Sequence, residues 1–208
     1  MMQPKIDGDT SPYTFIFAHG AGAGMDHSFM TTIAKLLAQR GIKVVRFNFP
    51  YMIQREKDGR KRPPDRAPKL LEAYRQIITE YAQKGPIVIG GKSMGGRMAS
   101  LLAEDEQVLA VACLGFPFHP PGKPEKYKGE HLASIVKPTL ILQGERDAFG
   151  RVEEVADYSL SPCVEVQYLT DGDHSFTPRK RSGVSEEENL IQAVEWLSHF
   201  IKKQYDEQ

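Results

Sequence analysis

The fold of this chain is decided by Gly90-Gly91-Lys92-Ser93-Met94-Gly95-Gly96. This stretch follows Pro86-Ile87-Val88-Ile89, which is typical of a buried strand, and it opens a helical pattern over residues 94–103. A Gly-x-Ser-x-Gly motif between a strand and a helix predicts a nucleophile elbow, a strained turn that lifts a serine hydroxyl above the sheet. Gly91 and Gly95 are expected where a Cβ would collide with a neighbouring strand or helix. The alternative interpretation is a glycine-rich turn without chemistry.

Strands and helices alternate along the rest of the chain. Apolar runs predict five more strands, over residues 15–18, 42–47, 108–114, 139–142 and 164–169. Helical spacing and a capping box formed by Ser185 and Glu188 predict the other helices, over residues 27–40, 67–83 and 152–160 and from residue 186 onward. Six strands joined by crossover helices predict an α/β fold with a doubly wound, mostly parallel sheet. No insertion is long enough for a large cap domain, and residues 1–208 are expected to form a single domain.

Composition narrows the class of protein. The formal net charge of the 208 residues is +0, which argues against a nucleic-acid binder. No apolar run approaches the ~20 residues that span a membrane, and residues 1–13 lack the apolar core of a signal peptide. Cys113 and Cys163 are predicted in strands as buried thiols, so we expect a cytoplasmic protein without disulfides. No Cys/His spacing suits zinc, and neither a metal nor a cofactor is expected.

A serine nucleophile needs a general base, and the base needs an acid that orients it. Asp147 follows the strand predicted over residues 139–142, and His174 follows the strand predicted over residues 164–169. The carboxyl ends of parallel strands meet at one edge of the sheet, where ligands of such folds bind. We therefore predict that Ser93, Asp147 and His174 form a catalytic triad at this edge.

Each of these roles has a competitor nearby. Glu145 and Asp173 are alternative acids, although Asp173 adjoins His174 in sequence and cannot easily face the same imidazole. His199 is an alternative base, but the final amphipathic helix favours a surface or packing role for it.

An oxyanion hole needs two hydrogen-bond donors. One is expected from the backbone N–H of Met94, the residue after the nucleophile. The other is expected from the glycine-rich loop His19-Gly20-Ala21-Gly22-Ala23-Gly24, with the N–H of Ala21 preferred and Gly22 second, Gly22 also being a candidate substrate contact. His19 is predicted to brace this loop.

Two further polar residues are candidate substrate contacts. Lys92 precedes the nucleophile. It either contacts an anion or lowers the proton affinity of the serine by its charge, or it pairs with a carboxylate away from the pocket. The pairing interpretation is favoured because a buried lysine needs a partner. His119 lies in a proline-rich segment and either lines the pocket or belongs to a stiff wall. Three residues near the end of the second strand are either pocket groups or loop anchors: Arg46, Asn48 and Tyr51.

Across nearly its whole length the chain resembles the α/β-hydrolase superfamily. Within it, the chain is similar to the branch that includes the testis-expressed hydrolase-like protein and a subunit of the NSL histone acetyltransferase complex. The resemblance to dienelactone hydrolases is looser, because those enzymes use a cysteine nucleophile where this chain has Ser93. The stretches that carry the resemblance are His19-Gly20-Ala21-Gly22 with Met25-Asp26-His27, Gly91-Lys92-Ser93-Met94-Gly95-Gly96-Arg97, Phe116-Pro117-Phe118-His119-Pro120-Pro121-Gly122-Lys123-Pro124, Gln143-Gly144-Glu145-Arg146-Asp147 and Gly172-Asp173-His174-Ser175-Phe176.

These observations support two hypotheses. The first is a serine hydrolase that cleaves a carboxylic ester or thioester through an acyl-enzyme, with a small-molecule substrate and no nucleic-acid or membrane partner. The second is a catalytically idle binding or scaffold protein with the same fold, since fold does not fix function. Residues 51–69 and 175–183 are rich in Lys and Arg. They predict either a positively charged rim that attracts an anionic substrate or an acidic partner, or a solvated loop without a steering role. A protein partner is compatible with the sequence, but no feature supports one.

Overall fold

A computed structural model gives the structure of residues 3–83 and 85–207, so residues 1, 2, 84 and 208 of the predicted domain lie outside the described residues. The strands are β1 (Lys5–Asp7), β2 (Thr14–Ala18), β3 (Lys43–Phe47), β4 (Ile87–Lys92), β5 (Val108–Leu114), β6 (Thr139–Gly144) and β7 (Val164–Leu169). The helices are α1 (Ser28–Gln39), α2 (Pro50–Asp58), α3 (Ala67–Tyr81), α4 (Met94–Ser100), α5 (Val152–Val155) and α6 (Glu186–Asp206), and a short 3₁₀ turn covers Glu130–Ala133.

The strands form one sheet in the order β1-β3-β2-β4-β5-β6-β7. All neighbouring pairs are parallel except β1 with β3, which is antiparallel. The predicted doubly wound, mostly parallel α/β sheet is confirmed. In such a sheet every parallel strand ends at the same edge, so the loops after β2, β4, β6 and β7 meet there.

Two apolar layers cover the two faces of this sheet. Alternate residues of β2 point to opposite faces, with Phe15 and Phe17 in one layer and Ile16 in the other. Helices α1 and α6 pack on the first face, and α3 and α4 pack on the second. The central strands are buried on both sides, which explains why they read as continuous apolar runs. No inserted lid domain lies among the residues that the structure covers.

Several predicted bounds need correction. The predicted helices over residues 94–103 and 152–160 both end early, because the backbone changes to i→i−3 hydrogen bonds such as those from Leu102 N to Ala99 O and from Asp157 N to Glu154 O. Strand β1 and helix α2 were not predicted. Strand β1 is three residues long and largely exposed, and α2 buries only Tyr51 and Met52, so neither has a clear apolar period.

The prediction for the two cysteines is half right. Cys113 lies in β5 and is fully buried. Cys163 immediately precedes β7 and is exposed, so its prediction as a buried strand residue is wrong. Both thiols are free of disulfide bonds. Within the described ranges, no helix combines the length and the hydropathy that a bilayer crossing requires.

Candidate active site

Ser93 occupies the sharp turn between β4 and α4. Its backbone has φ 52° and ψ −117°, a strained conformation for a residue with a side chain. A Cβ added to Gly91 would lie 2.5 Å from the carbonyl carbon of Gly95, and a Cβ added to Gly95 would lie 2.5 Å from Ala18 O. Both collisions are with backbone, so glycine is required where the motif predicted it. The turn therefore has the geometry of a nucleophile elbow.

The loops after β6 and β7 bring Asp147 and His174 to Ser93. The Nε2 atom of His174 lies 2.9 Å from Ser93 Oγ, and its Nδ1 atom lies 2.8 Å from Asp147 Oδ2. Asp147 is fully buried, whereas the side chain of His174 is 25% exposed. Hydrogen bonds therefore run in sequence from a buried carboxylate through an imidazole to a hydroxyl that faces a cavity.

Two residues that the sequence did not identify hold this arrangement. Gln143, the penultimate residue of β6, donates from Nε2 to Asp147 Oδ2 at 3.0 Å and accepts from Phe116 N at 2.8 Å. Phe149 donates its N–H to Asp147 Oδ1 at 2.9 Å, and its ring lies against the imidazole of His174 with centroids 4.3 Å apart. The sequence did contain a signal for Gln143, because a glutamine near the end of an apolar strand is buried and its amide must find hydrogen-bond partners.

The competing acids and base have other contacts. Asp173 accepts hydrogen bonds from the N–H groups of Ser175 and Thr177, so it shapes the loop that carries His174. Glu145 accepts from Asp171 N at 2.6 Å. His199 is exposed and lines a groove of about 360 Å³ at the amino ends of β6 and β7, away from Ser93.

Two side chains, those of His19 and Tyr51, hold the glycine-rich loop after β2 in place. His19 is fully buried, accepts from Phe49 N through Nε2 and therefore donates from Nδ1 to Gly20 O at 2.6 Å. Burial lowers the pKa of His19 to about 4, so this imidazole is neutral. The hydroxyl of Tyr51 donates to Ala21 O at 2.9 Å. Both side chains hold loop carbonyls, which leaves the N–H groups free to point elsewhere.

The two proposed oxyanion donors lie beside the nucleophile. Met94 is the first residue of α4, and Ala21 lines the same cavity as Ser93. In the part of the chain that the structure describes, neither N–H donates a backbone hydrogen bond. Unpaired N–H groups at a helix start favour negative charge. Gly22 also lines the cavity, where an added Cβ would meet nothing within 4 Å.

The cavity next to Ser93 measures about 290 Å³. Its polar groups come from the loop backbone and from five side chains, and much of the remaining wall is apolar; the five are His27, Lys92, Ser93, His174 and Ser175. The full lining consists of Gly20, Ala21, Gly22, Ala23, His27, Phe29, Met30, Lys92, Ser93, Phe149, His174 and Ser175. A small, mainly apolar cavity with a few polar groups at one end suits a small organic molecule.

The favoured interpretation of Lys92 is wrong. Its side chain does not pair with a carboxylate away from the pocket: it lines the cavity, and its Nζ donates to the backbone carbonyl of His174. The Nζ atom lies 5.2 Å from the ring centroid of Phe29 and 5.8 Å from that of Phe176. Burial lowers the pKa of Lys92 to about 8, against the opposing effect of Asp147 and Asp173.

His119 does not line this cavity, so its prediction as a substrate contact is wrong. It is buried, with Nε2 3.2 Å from Glu154 Oε2 and Nδ1 2.9 Å from Pro120 O. Its role is to join the segment after β5 to α5. The three polar residues near the end of β3 are anchors. Arg46 binds Asp7 and Met25 O, Asn48 binds Met25 N and Glu56, and Tyr51 holds the loop after β2.

The basic segments contribute little to the cavity. No Lys or Arg from residues 51–69 or 175–183 lines it, and Arg55 alone among those described donates to its rim, at Gly22 O. Arg62 pairs with Asp58 and Arg179 with Asp171, which offsets part of the local charge. The described residues contain no cluster of His, Cys, Asp or Glu that could hold a metal ion.

The chain belongs to the alpha/beta hydrolase domain family, whose model matches residues 11–202. Solved structures of similar fold include an alpha-beta serine hydrolase homologue from Coxiella burnetii, which is 22% identical with a TM-score of 0.69, over 96% of this chain and 91% of that one. A serine hydrolase without lid from Xanthomonas campestris is 18% identical with a TM-score of 0.70, over 97% and 88%.

Dienelactone hydrolase from Anabaena variabilis is 21% identical with a TM-score of 0.67, over 95% of this chain and 91% of that one. At such identities the likeness establishes the fold, and function must be inferred from the site.

Proposed function

We propose that this protein is a serine hydrolase that cleaves a carboxylic ester or thioester through an acyl-enzyme. The observation that carries the proposal is the run of hydrogen bonds from Asp147 through His174 to Ser93, with Ser93 on a strained turn that opens onto a cavity. A binding scaffold has no need for a buried carboxylate, an aligned imidazole and a strained serine together. We also propose that residues 1–208 form a single domain.

In the first half of the reaction Ser93 Oγ attacks the substrate carbonyl carbon while His174 Nε2 takes the hydroxyl proton. The negative charge that develops on the carbonyl oxygen is held by the N–H groups of Ala21 and Met94. The tetrahedral intermediate then collapses, and His174 returns its proton to the departing alcohol or thiol. Asp147 fixes the imidazole through Nδ1 and stabilises the imidazolium that forms in each step.

In the second half of the reaction water replaces the departed group. His174 takes a proton from the water as its oxygen attacks the acyl carbon, and it then gives that proton to Ser93 Oγ. The products are a carboxylic acid and the free serine, so one ester and one water give one acid and one alcohol. The apolar walls formed by Ala23, Phe29, Met30 and Phe149 would receive the acyl group.

The relationship to the branch with the testis-expressed protein and the NSL subunit remains part of this proposal, and it rests on the motifs around Ser93 and His174. The cavity offers little support for an anionic substrate. Among the described residues that line it, Lys92 is the one Lys or Arg, and its ammonium already donates to His174 O.

The test is covalent labelling of Ser93. A fluorophosphonate probe should modify the wild-type protein at Ser93, and Ser93→Ala should remove the labelling while circular dichroism and melting temperature stay unchanged. Ser175→Ala is the matched control, since Ser175 also lines the cavity but has no imidazole partner. Undiminished labelling of Ser93→Ala would overturn the assignment.

A further inference from the structure

Lys92 connects the two halves of the candidate active site. It is the last residue of β4 and directly precedes Ser93 in the chain. Its Nζ donates to the backbone carbonyl of His174, which lies in the loop after β7. The backbone on one side of this residue therefore carries the serine, while its side-chain end holds the main chain that carries the imidazole.

The ammonium of Lys92 is buried, and its contacts offset part of the cost of burying a charge. The residue is 8% exposed, and Nζ lies over the rings of Phe29 and Phe176, whose faces attract a cation. No carboxylate of the described residues lies within ion-pair distance of it. Among the described residues its hydrogen-bond acceptor is His174 O, and the loss of Lys92 would leave that carbonyl without its donor.

The space around Gly115 shows how close the ammonium is to the imidazole. Gly115 has φ +65°, and an added Cβ would lie 2.7 Å from Lys92 Nζ and 3.2 Å from His174 Nδ1. The sum of those two distances is the most that can separate the ammonium from the ring nitrogen. The charged groups that face Lys92 are Asp147 and Asp173, both of which favour its protonated form. A pKa of about 8 leaves the side chain mainly protonated at neutral pH.

We propose that Lys92 is a positioning residue for the hydrolytic reaction. Its hydrogen bond fixes the main chain of His174 relative to the elbow, so that Nε2 meets Ser93 Oγ. The inference rests on the proposed function for its catalytic meaning, but not for the effect on His174 itself.

The first experiment follows His174 directly by NMR in protein carrying ¹³C-labelled histidine, with the signal assigned by its absence in His174→Gln. In Lys92→Met the ring signal of His174 should move away from its wild-type position, because the main chain that carries the ring loses its hydrogen-bond donor. The matched control is Lys180→Met, which removes the same charge from an exposed position in the loop after His174. It should leave the signal in place. An unmoved signal in Lys92→Met would overturn the proposal, and so would an equal movement in Lys180→Met.

The second experiment measures the rate of fluorophosphonate labelling at one fixed pH. Lys92→Met should be slowed about 10- to 100-fold, since small misplacements of reacting groups cost rates of this order. Its melting should stay cooperative, although the melting temperature should fall somewhat because His174 O loses its donor. Lys92→Arg keeps the charge and the donors, so it should restore part of the rate. Normal labelling by Lys92→Met, or loss of its cooperative melting, would refute the positioning role.

The outcomes also separate this inference from the proposed function. If the wild type is not labelled but the His174 signal moves in Lys92→Met as expected, the hydrolase proposal fails and the effect of Lys92 on His174 stands. If every variant is labelled normally and the His174 signal does not move, the hydrolase proposal stands and this inference fails. A rise in KM that is confined to anionic esters, with kcat unchanged, would make Lys92 a substrate contact and overturn its positioning role.

Discussion

Replacement of Asp147 by asparagine tests the electrostatic design of the site. The carboxylate is fully buried and lies 2.8 Å from His174 Nδ1, so it faces the charge that the imidazole acquires in the transition state. At an effective dielectric constant of about 20, unit charges roughly 3 to 4 Å apart interact by about 4 to 6 kcal/mol. Since about 1.4 kcal/mol is tenfold in rate, Asp147→Asn should lower kcat by about 10³ to 10⁴.

The amide oxygen of the Asp147→Asn side chain can still accept the hydrogen bond from Phe149 N. Its NH₂ group would face Gln143 Nε2, which donates to Asp147 Oδ2 in the wild type, so we expect a folded protein with a lower melting temperature. The measurement is hydrolysis of a short-chain nitrophenyl ester, or the labelling rate with a fluorophosphonate if no such ester is turned over. Melting temperature is followed in parallel.

Asp173→Asn is the matched control for this experiment. It makes the same chemical change in the residue next to His174, but Asp173 Oδ1 only accepts from the N–H groups of Ser175 and Thr177, and an amide oxygen can do the same. Its kcat should stay close to that of the wild type. A large loss in Asp173→Asn together with a nearly silent Asp147→Asn would refute the assignment of the acid.

Two other predictions concern local structure. Gly91→Ala should abolish activity and lower the melting temperature, because its Cβ would lie 2.5 Å from backbone, whereas Gly22→Ala should keep the wild-type melting temperature, since its Cβ would meet nothing within 4 Å. A maleimide should modify the native protein at Cys163, which is exposed, and not at Cys113, where full burial raises the pKa of the thiol; modification of Cys113 at the same rate would contradict the described packing.

The sequence by itself determined the order of the strands and helices, except for β1 and α2, and the position of the elbow. The apolar run of residues 108–114 has the length of a buried parallel strand, and its predicted bounds match those of β5. The glycines around Ser93 are dictated by steric limits within a few residues of the turn, which makes them visible in a local motif. Asp147 and His174 could be proposed because strand ends of a parallel sheet converge.

Only the tertiary structure decided which polar side chains meet. Lys92, Gln143 and His119 are all buried polar residues, and a sequence does not reveal which atom satisfies each of them. Lys92 was expected to pair with a carboxylate, but it binds the main chain of His174, 82 residues away. His119 was a candidate cavity residue, but its side chain contacts Glu154. The spacing of apolar residues along a short segment determines whether it forms a helix or a strand. A hydrogen bond between distant residues depends on the packing of every element between them.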